Sequence, residues 1–290
     1  MMNRHNSIGS RIFDGFNYFI LSFYAVVALV PLLYVIGASF SSGAELAAKG
    51  FVIVPSHPTL ESYKWIFSTN DLKNSLLVST FVTVVGTIIN MVLTSMTAYP
   101  LADKNLPGRK VLMTLITFTL VFNAGMIPSL ITVRLLGLYN SIWALIIPGA
   151  ISSWNLIVLK NFFQQLPAEL TESATIDGCT DFDILFRIVL PLSAPALATF
   201  SLFYAVSNWN SFTAAIIYIN DTNKWPVQVV LRNVIMAAQM IGINDSSTAT
   251  PPTETVKMAV IVVATLPILV VYPFLQKHFV KGVMLGSVKG

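Results

Sequence analysis

Long apolar runs, separated by short polar stretches, dominate the chain. A helix needs about 20 consecutive apolar residues to cross the hydrocarbon core of a bilayer. Six runs reach or approach this length, and each predicts one membrane-spanning helix. The predicted spans are 16–40, 75–101, 111–133, 142–159, 194–219 and 258–276. We therefore predict an all-α integral membrane protein, with residues 1–290 forming a single transmembrane domain.

Composition supports this fold class. Of the 290 residues, 55% are hydrophobic and 10% are charged, and the mean hydropathy is +0.73. Soluble domains carry about 25% charged residues, so a soluble protein is excluded. The net charge of +4 is spread over the loops, which argues against a nucleic-acid partner. The single cysteine, Cys179, excludes an internal disulfide.

Charge distribution predicts the orientation in the membrane. An even number of spans places both termini on one side. The tails and loops of that side carry ten of the 17 lysines and arginines. Since cytoplasmic loops are enriched in these residues, we predict that both termini are cytoplasmic.

Proline and glycine mark one span as interrupted. A proline inside a span breaks a backbone hydrogen bond, which membranes tolerate where protein or water fills the gap. Gly125 and Pro128, with Asn123 just before them, predict that the third span is a broken helix near a cavity. A packed kink between neighbouring helices is the alternative.

The longest polar interruption on the cytoplasmic side runs from Pro167 to Pro191, and we call this segment the elbow. Pro167 suits the first turn of a helix, and Gly178 suits its end. Thr180 and Asp183 have the spacing of a capping box that opens a second short helix. The apolar face of that helix would consist of Phe182, Leu185, Phe186 and Val189. A bent helix pair of this kind suits docking into a groove on a partner.

The spacing within the elbow resembles the "EAA" loop of permease subunits of ATP-driven (ABC) importers. That pattern is Glu-Ala-Ala, three residues, Gly, nine residues, then Ile-x-Leu-Pro. Ser173 departs from it, standing where the pattern has alanine. The matching residues are Glu172, Ala174, Gly178, Ile188, Leu190 and Pro191. The alternative is an amphipathic helix that rests on the membrane surface.

The resemblance extends over nearly the whole chain. Trp209-Asn210 resembles the carbohydrate subgroup, as does the C-terminal stretch 279–290, which is similar to that of the smaller permease of the maltose importer. Importers of complex oligosaccharides are the most similar subgroup. The resemblance implies the type I importer permease fold, six spans with a cytoplasmic coupling helix, in a bacterial inner membrane.

The resemblance also implies partners. These would be a second, related permease forming a heterodimer, two ATP-binding subunits, and an extracytoplasmic solute-binding protein. ATP and Mg would be bound by the ATPase, so this chain would carry no cofactor and no metal. The residues implied to couple it to the ATPase are Glu172, Ala174, Asp177, Gly178, Phe182, Ile188, Leu190, Pro191, Lys289 and Gly290.

The sequence itself carries no energy source. The predicted span interiors contain no Asp, Glu, Lys, Arg or His, whereas proton-driven carriers usually need such groups as relays. A phosphate-binding Gly-x-x-x-x-Gly-Lys-Ser/Thr loop is also missing, as are common hydrolase motifs. We therefore expect a non-catalytic permease that is driven by another protein. A sodium-coupled carrier remains an alternative.

Neutral polar and aromatic residues within the spans indicate the solute. Amides bind hydroxyl groups as donors and acceptors, and aromatic faces can pack on a sugar ring. The candidate contacts are Asn123, Asn155, Tyr204, Asn208, Trp209, Asn210 and Phe212. A neutral sugar fits this lining, while an acidic oligosaccharide would need Arg134 or Arg232. These residues could instead hold helices together, and an importer of a non-sugar solute is a further alternative.

Overall fold

The computed structural model describes residues 8–68, 70–241 and 254–287. Every regular element within these residues is helical, which confirms the predicted all-α class. The α-helices are α1 (Ile8–Ser39), α2 (Gly43–Lys49), α3 (Glu61–Ser68), α4 (Asn70–Ala102), α5 (Arg109–Val121), α6 (Met126–Leu135), α7 (Ser153–Phe163), α8 (Ala168–Ile176), α9 (Asp181–Ile184), α10 (Leu190–Leu192), α11 (Ala194–Trp209), α12 (Phe212–Tyr218), α13 (Val227–Ile241) and α14 (Glu254–Ser287). Short 3₁₀ turns form at Ile142–Leu145 and Thr222–Lys224, and a π turn forms at Leu185–Val189.

Three helices of the described residues are individually long and apolar enough to cross a membrane: Ile12–Ser39, Asn70–Ala102 and Glu254–Val271. They coincide with the first, second and sixth predicted spans. A fourth candidate is the pair Asp181–Leu192 and Ala194–Trp209, which is bent by 85°. The fifth predicted span is divided, because α11 ends at Trp209 and α12 begins at Phe212.

The third predicted span is broken, as its glycine and proline indicated. Helix α5 ends at Val121 and α6 begins at Met126. Gly125 has φ +85°, a conformation that glycine adopts without strain. The Asn123 side chain accepts a hydrogen bond from the Gly125 N–H at 2.8 Å. The break therefore has its own local hydrogen bonding.

The expectation of a continuous helix over 142–159 is wrong. Only a 3₁₀ turn forms at its start, and α7 begins at Ser153. Pro148 lacks an N–H, so it cannot extend the helix from the 3₁₀ turn. Ser152 then opens α7, because its hydroxyl accepts a hydrogen bond from the Asn155 N–H at 3.4 Å.

The described chain divides into two compact units. The first consists of Met1–Thr69 and Asn233–Thr265, and the second consists of Asn70–Arg232 and Leu266–Gly290. The expectation of one domain stays a prediction. In the first unit, Ala38, Leu46 and Val52 form a small buried core. Gly37 allows it to close, since an added Cβ would lie 2.1 Å from the carbonyl oxygen of Ile53. By contrast, no described side chain from Ser10 to Ile36 is buried.

Helix α4 is the central element of the second unit. Its N-terminal half contributes Val78 and Val82 to one buried cluster, together with residues of the 3₁₀ turn, α6, α12 and α13. Its C-terminal half contributes Ala98 and Leu101 to another, with residues of α7, α8, α9, the π turn and α11. One helix thus connects both ends of this unit.

A network of hydrogen bonds joins α4 to its neighbours between these clusters. The buried Asn90 amide donates to the carbonyl oxygens of Gly149 and Ala150, at 3.1 and 2.8 Å. Its own oxygen accepts from Asn208 at 2.9 Å. Because Gly86 has no side chain, Asn208 can approach; a Cβ there would lie 2.8 Å from the Asn208 amide nitrogen. Asn90 therefore satisfies the irregular backbone of the fourth predicted span.

Two loops of the second unit are held together by Asn140. Its side chain accepts hydrogen bonds from the backbone N–H groups of Asn220 and Asp221, at 3.1 and 2.9 Å. Its backbone N–H donates to Tyr218 at 2.8 Å, and its carbonyl accepts from Lys224 at 3.0 Å. These contacts fix the connection from α12 to α13.

We predict that Asn90→Leu lowers the free energy of unfolding by about 2 kcal/mol, because the carbonyls of Gly149 and Ala150 lose their donor and Asn208 loses one of its two acceptors. The measurement is thermal unfolding of the purified chain in detergent. Thr80→Ala is the control, since Thr80 is exposed on the same helix and bonds only its own helix at Leu76. Equal stability of Asn90→Leu and Thr80→Ala would contradict this role for Asn90.

Candidate functional site

The first half of the elbow is the short helix α8. Pro167 has φ −58° and occupies the position before the first helical residue, one residue earlier than predicted. The helix ends at Ile176, and Gly178 follows with φ +84°. The Cys179 N–H then donates to the Ala174 carbonyl at 3.0 Å. This is the glycine-terminated helix end that the sequence predicted.

The second half of the elbow begins with the predicted capping box. The Thr180 hydroxyl accepts a hydrogen bond from the Asp183 N–H at 3.3 Å, and the Asp183 carboxylate accepts from the Thr180 N–H at 3.4 Å. The hydroxyl also donates to that carboxylate at 2.6 Å. Arg187 lies one turn further on, 3.4 Å from Asp183.

A π turn at Leu185–Val189 separates this capped turn from α11. Within it, the Leu190 N–H donates to the carbonyl of Leu185, five residues back. Pro191 follows and has no N–H to continue an α-helical pattern. Such turns are frequent at functional sites. Pro191 itself is exposed.

The elbow is attached to the spans by its buried side chains. Ala174 of α8 is buried, and so are Ile184, Leu185 and Val189 beyond the bend. They share a cluster with residues of α4, α7 and α11, and Ile188 and Leu190 pack against that cluster. Both halves of the elbow are therefore held by the same group of helices.

The apolar face predicted for the second half is divided. Leu185 and Val189 are buried, whereas Phe182 and Phe186 are 62% and 53% exposed. The two phenylalanines are four residues apart, so they lie on one side of the helix. Ile176, at the end of α8, is 87% exposed. The elbow thus presents large apolar side chains, as interaction surfaces do.

A cavity of about 740 Å³ lies beside the elbow. Its lining includes Glu172 and Phe182, together with Tyr99 of α4 and the turn 103–106. Next to this cavity, two side chains bond the last carbonyl groups of α4. Arg109 donates to the Leu101 carbonyl at 2.9 Å, and Gln164 donates to the Ala102 carbonyl at 2.9 Å.

The structure brings together most of the residues implied in coupling. Glu172 is exposed and lines the cavity, and Asp177 is exposed at the end of α8. Gly178 forms the bend between the two helices. Lys289 and Gly290 lie outside the described residues.

Three of the predicted solute contacts lie between helices. The Tyr204 hydroxyl shares a hydrogen bond with Thr94 at 2.7 Å and accepts one from the Ser152 N–H at 3.0 Å. Asn208 donates to Asn90, as described above, and Asn155 is buried. These positions agree with the alternative of polar contacts between helices. Their contact with solute stays a prediction.

Asn210 and Phe212 occupy a different position, on either side of the break between α11 and α12. The Asn210 side chain is exposed, and its oxygen accepts a hydrogen bond from Gln228 at 3.3 Å. The Arg232 guanidinium lies over the Phe212 ring, 5.2 Å from its centroid. Gln228 was not predicted as a site residue, because it follows the fifth predicted span. Its four-residue spacing from Arg232 is the signal that could have revealed the pair.

The remaining two candidates are Asn123 and Trp209. Asn123 is exposed and bonds the backbone of the break between α5 and α6. Trp209 is 5% exposed at the end of α11.

Residues 91–285 match the family described as the binding-protein-dependent transport system inner membrane component, and the chain belongs to this family. It is therefore a membrane-spanning component of a transport system, in agreement with the resemblance of the elbow to importer permeases.

Individual relatives agree with this assignment. The polygalacturonan/rhamnogalacturonan transport system permease protein YtcP of Bacillus subtilis (strain 168) is 52% identical, over 97% of this chain and 99% of its own length. Protein LplC of the same organism is 50% identical, over 99% and 98%. The solved structure of a bacterial ABC transporter that imports the acidic polysaccharide alginate contains a chain with 33% identity and a TM-score of 0.85. The match covers 96% of this chain and 100% of that one. This likeness confirms the predicted importer permease fold.

The capping box predicts that the elbow keeps its structure in acid. The Thr180 hydroxyl, the Thr180 N–H and the charge of Arg187 all lower the pKa of Asp183 below its ordinary value of 3.8. A lowered pKa means that this stabilisation is present above pH 3.8 and is lost as the pH falls through the lowered value. Amide exchange at residues 181–184 should therefore be slower in the wild type than in Asp183→Asn. The difference should stay constant from about pH 7 to 5 and shrink below pH 3.8.

Thr180→Val provides the matched comparison, since it removes the other half of the box. The double variant should exchange no faster than either single variant, because both changes disrupt one unit. Independent, additive effects would contradict the pairing.

Proposed function

We propose that this chain forms half of the translocation path of an ATP-driven oligosaccharide importer and couples to the ATPase through the elbow. The observation that carries the proposal is the bend at Gly178 between two short helices, with Glu172 and Phe182 exposed on either side of it. A second, related permease would complete the path. Two ATP-binding subunits and an extracytoplasmic binding protein would complete the importer.

The attachment of the elbow explains how docking could move the spans. Buried residues on both sides of the bend pack against α4, α7 and α11 in one cluster. Packed interiors shift between discrete arrangements rather than deforming continuously. Displacement of the elbow by a closing ATPase would therefore move these helices together. Hydrolysis of ATP and release of its products would return these helices to their starting arrangement.

The exposed surface of the elbow suits an ATPase groove with both apolar and basic parts. Phe182 and Phe186 would fill the apolar part, and Glu172 would face a basic residue. ATP and Mg would be held by the ATPase alone, and this chain would perform no covalent chemistry. Lys289 and Gly290, at the end of the chain, would reach the interface between the ATPase subunits.

The proposed docking of the elbow to the ATPase also determines which way the chain is oriented in the bacterial inner membrane. Docking from the cytoplasm requires the elbow, the turn 103–108 and both termini to be on the cytoplasmic side. The distribution of lysine and arginine supports this orientation.

The proposed solute is an oligosaccharide that contains uronic acids. Support comes from a relative with 52% identity whose name specifies polygalacturonan and rhamnogalacturonan, and from a structural neighbour that imports alginate. Within this chain, Asn210 and Phe212 are the proposed contacts, because they adjoin Arg232 and Gln228. Tyr204, Asn208 and Asn155 would hold in place the helices that form the path.

We predict that Glu172→Lys reduces ATP-driven uptake at least roughly tenfold, because reversing a charge at a docked ion pair costs more than about 1.4 kcal/mol. The assay is oligosaccharide uptake into proteoliposomes that contain both permeases and the ATPase, with the binding protein added. Insertion of the chain into the membrane should be unchanged.

Glu169→Lys is the control, since Glu169 lies one turn earlier in α8 and is not part of the cavity lining. Uptake by the Glu172→Lys complex at the Glu169→Lys rate would contradict the docking role. Uptake by the purified chain alone, driven by a sodium gradient, would instead favour the secondary-carrier alternative.

A further inference from the structure

Arg232 follows a polar loop in the sequence, but its neighbours pack against the second predicted span. Helix α13 begins beside the N-terminal half of α4, where the Val227 N–H donates to the Ser79 hydroxyl at 2.8 Å. The Arg232 guanidinium lies over the Phe212 ring. Phe212 in turn packs against the cluster that contains Val78 and Val82. Ser79 and Val82 lie within the second predicted span, 75–101, roughly 6 and 10 Å from its first residue at 1.5 Å per residue. The guanidinium is therefore close to residues at the N-terminal end of this predicted span.

An arginine that enters the membrane needs compensation. Ionisable residues inside the membrane almost always face a water-filled cavity or a partner charge, and they mark solute pathways. The ion pairs formed within the described residues do not include Arg232. Its side chain is exposed and lies over the face of Phe212. The aromatic face steadies the cation without neutralising it.

The groups around Arg232 suit a carbohydrate. Gln228 lies one helical turn before it, and its amide donates to the Asn210 oxygen at 3.3 Å. Two amides, an aromatic ring and a guanidinium thus lie side by side. Amides pair with hydroxyl groups, and a guanidinium pairs with a carboxylate through two parallel hydrogen bonds.

We propose that Arg232, Phe212, Gln228 and Asn210 form a binding site for a uronate residue of the passing oligosaccharide. Arg232 binds the carboxylate, the two amides bind hydroxyl groups, and Phe212 positions the guanidinium. The inference rests on the proposed function, because it names the part of this chain that recognises the acidic sugar. A neutral sugar would gain no charge-assisted pair from the Arg232 guanidinium.

The exposed position of Arg232 suits brief binding of a passing solute rather than tight binding. Conduction requires binding that is favourable enough to admit the solute and weak enough to release it. One cation in contact with water provides a short-lived attraction for each uronate as it moves past.

The test is uptake of trigalacturonate by the complete complex in proteoliposomes, below saturation. Arg232→Gln should reduce uptake roughly tenfold, the loss expected when one charge-assisted contact is removed. Arg232→Lys should recover part of it, because it restores the charge without the planar fork. ATP hydrolysis stimulated by the sugar-free binding protein should be unchanged in both variants.

Lys73→Gln is the charge control, since Lys73 is exposed in the first turns of α4, and it should transport normally. Arg134→Gln tests the alternative cation, which lies over Tyr139 with its guanidinium 4.5 Å from the ring centroid. Uptake by Arg232→Gln within twofold of wild type would overturn the proposal. So would a matching loss in Lys73→Gln or Arg134→Gln, or a loss of ATP hydrolysis.

Failure of the proposed function gives a different result. In that case the wild-type complex itself would move no trigalacturonate while still hydrolysing ATP in response to the binding protein. That outcome would overturn the site along with the substrate class. A defect confined to the Arg232 variants is the supporting result.

Discussion

The architecture depends on one constraint: backbone N–H and C=O groups within a membrane must find partners inside the protein. Continuous helices such as α4 satisfy it alone, but the segment 142–159 does not. There the Asn90 amide bonds two successive carbonyls, and the Tyr204 hydroxyl bonds the N–H of Ser152. Two side chains thus stabilise a stretch of irregular backbone. This arrangement lets the interior of the second unit contain breaks, and breaks in helices are where transporters commonly form their solute sites.

The same helices connect the elbow to the breaks. Helix α11 contributes Phe200 to the cluster that holds the elbow, and one turn later Tyr204 bonds Thr94 of α4. Asn208 continues the contact one further turn along. A shift that starts at the bend would therefore reach the Asn210 break through a continuous series of packed and hydrogen-bonded residues. Such continuity is a physical basis for coupling between the elbow and the break.

Local signals in the sequence predicted local structure well. The Gly178 helix end and the Thr180–Asp183 capping box both arise from interactions within a few residues, and both are present. The break at Gly125 was predicted for the same reason. The failures involve distant partners. Nothing near residues 146–152 indicates that Asn90, some 60 positions earlier, would satisfy their backbone.

Nearby sequence also could not predict which elbow side chains are buried or where α13 lies. The four apolar residues of the second elbow helix look equivalent in sequence, yet packing against α4, α7 and α11 buries only Leu185 and Val189. Gln228 and Arg232 come after a polar loop, and only the contact of Val227 with Ser79 reveals that their helix begins beside α4. Pattern predicts which residues form an element, whereas the partner of each face depends on the tertiary fold.

The π turn at Leu185–Val189 has a consequence for how the chain tolerates changes in length. A turn of this kind holds one residue more than an α-helical turn, and it absorbs that residue without rotating α11. Loss of one residue inside it would restore regular winding and leave α11 facing α4. Loss of one residue within α11 would instead swing Asn208 by about 100° away from Asn90.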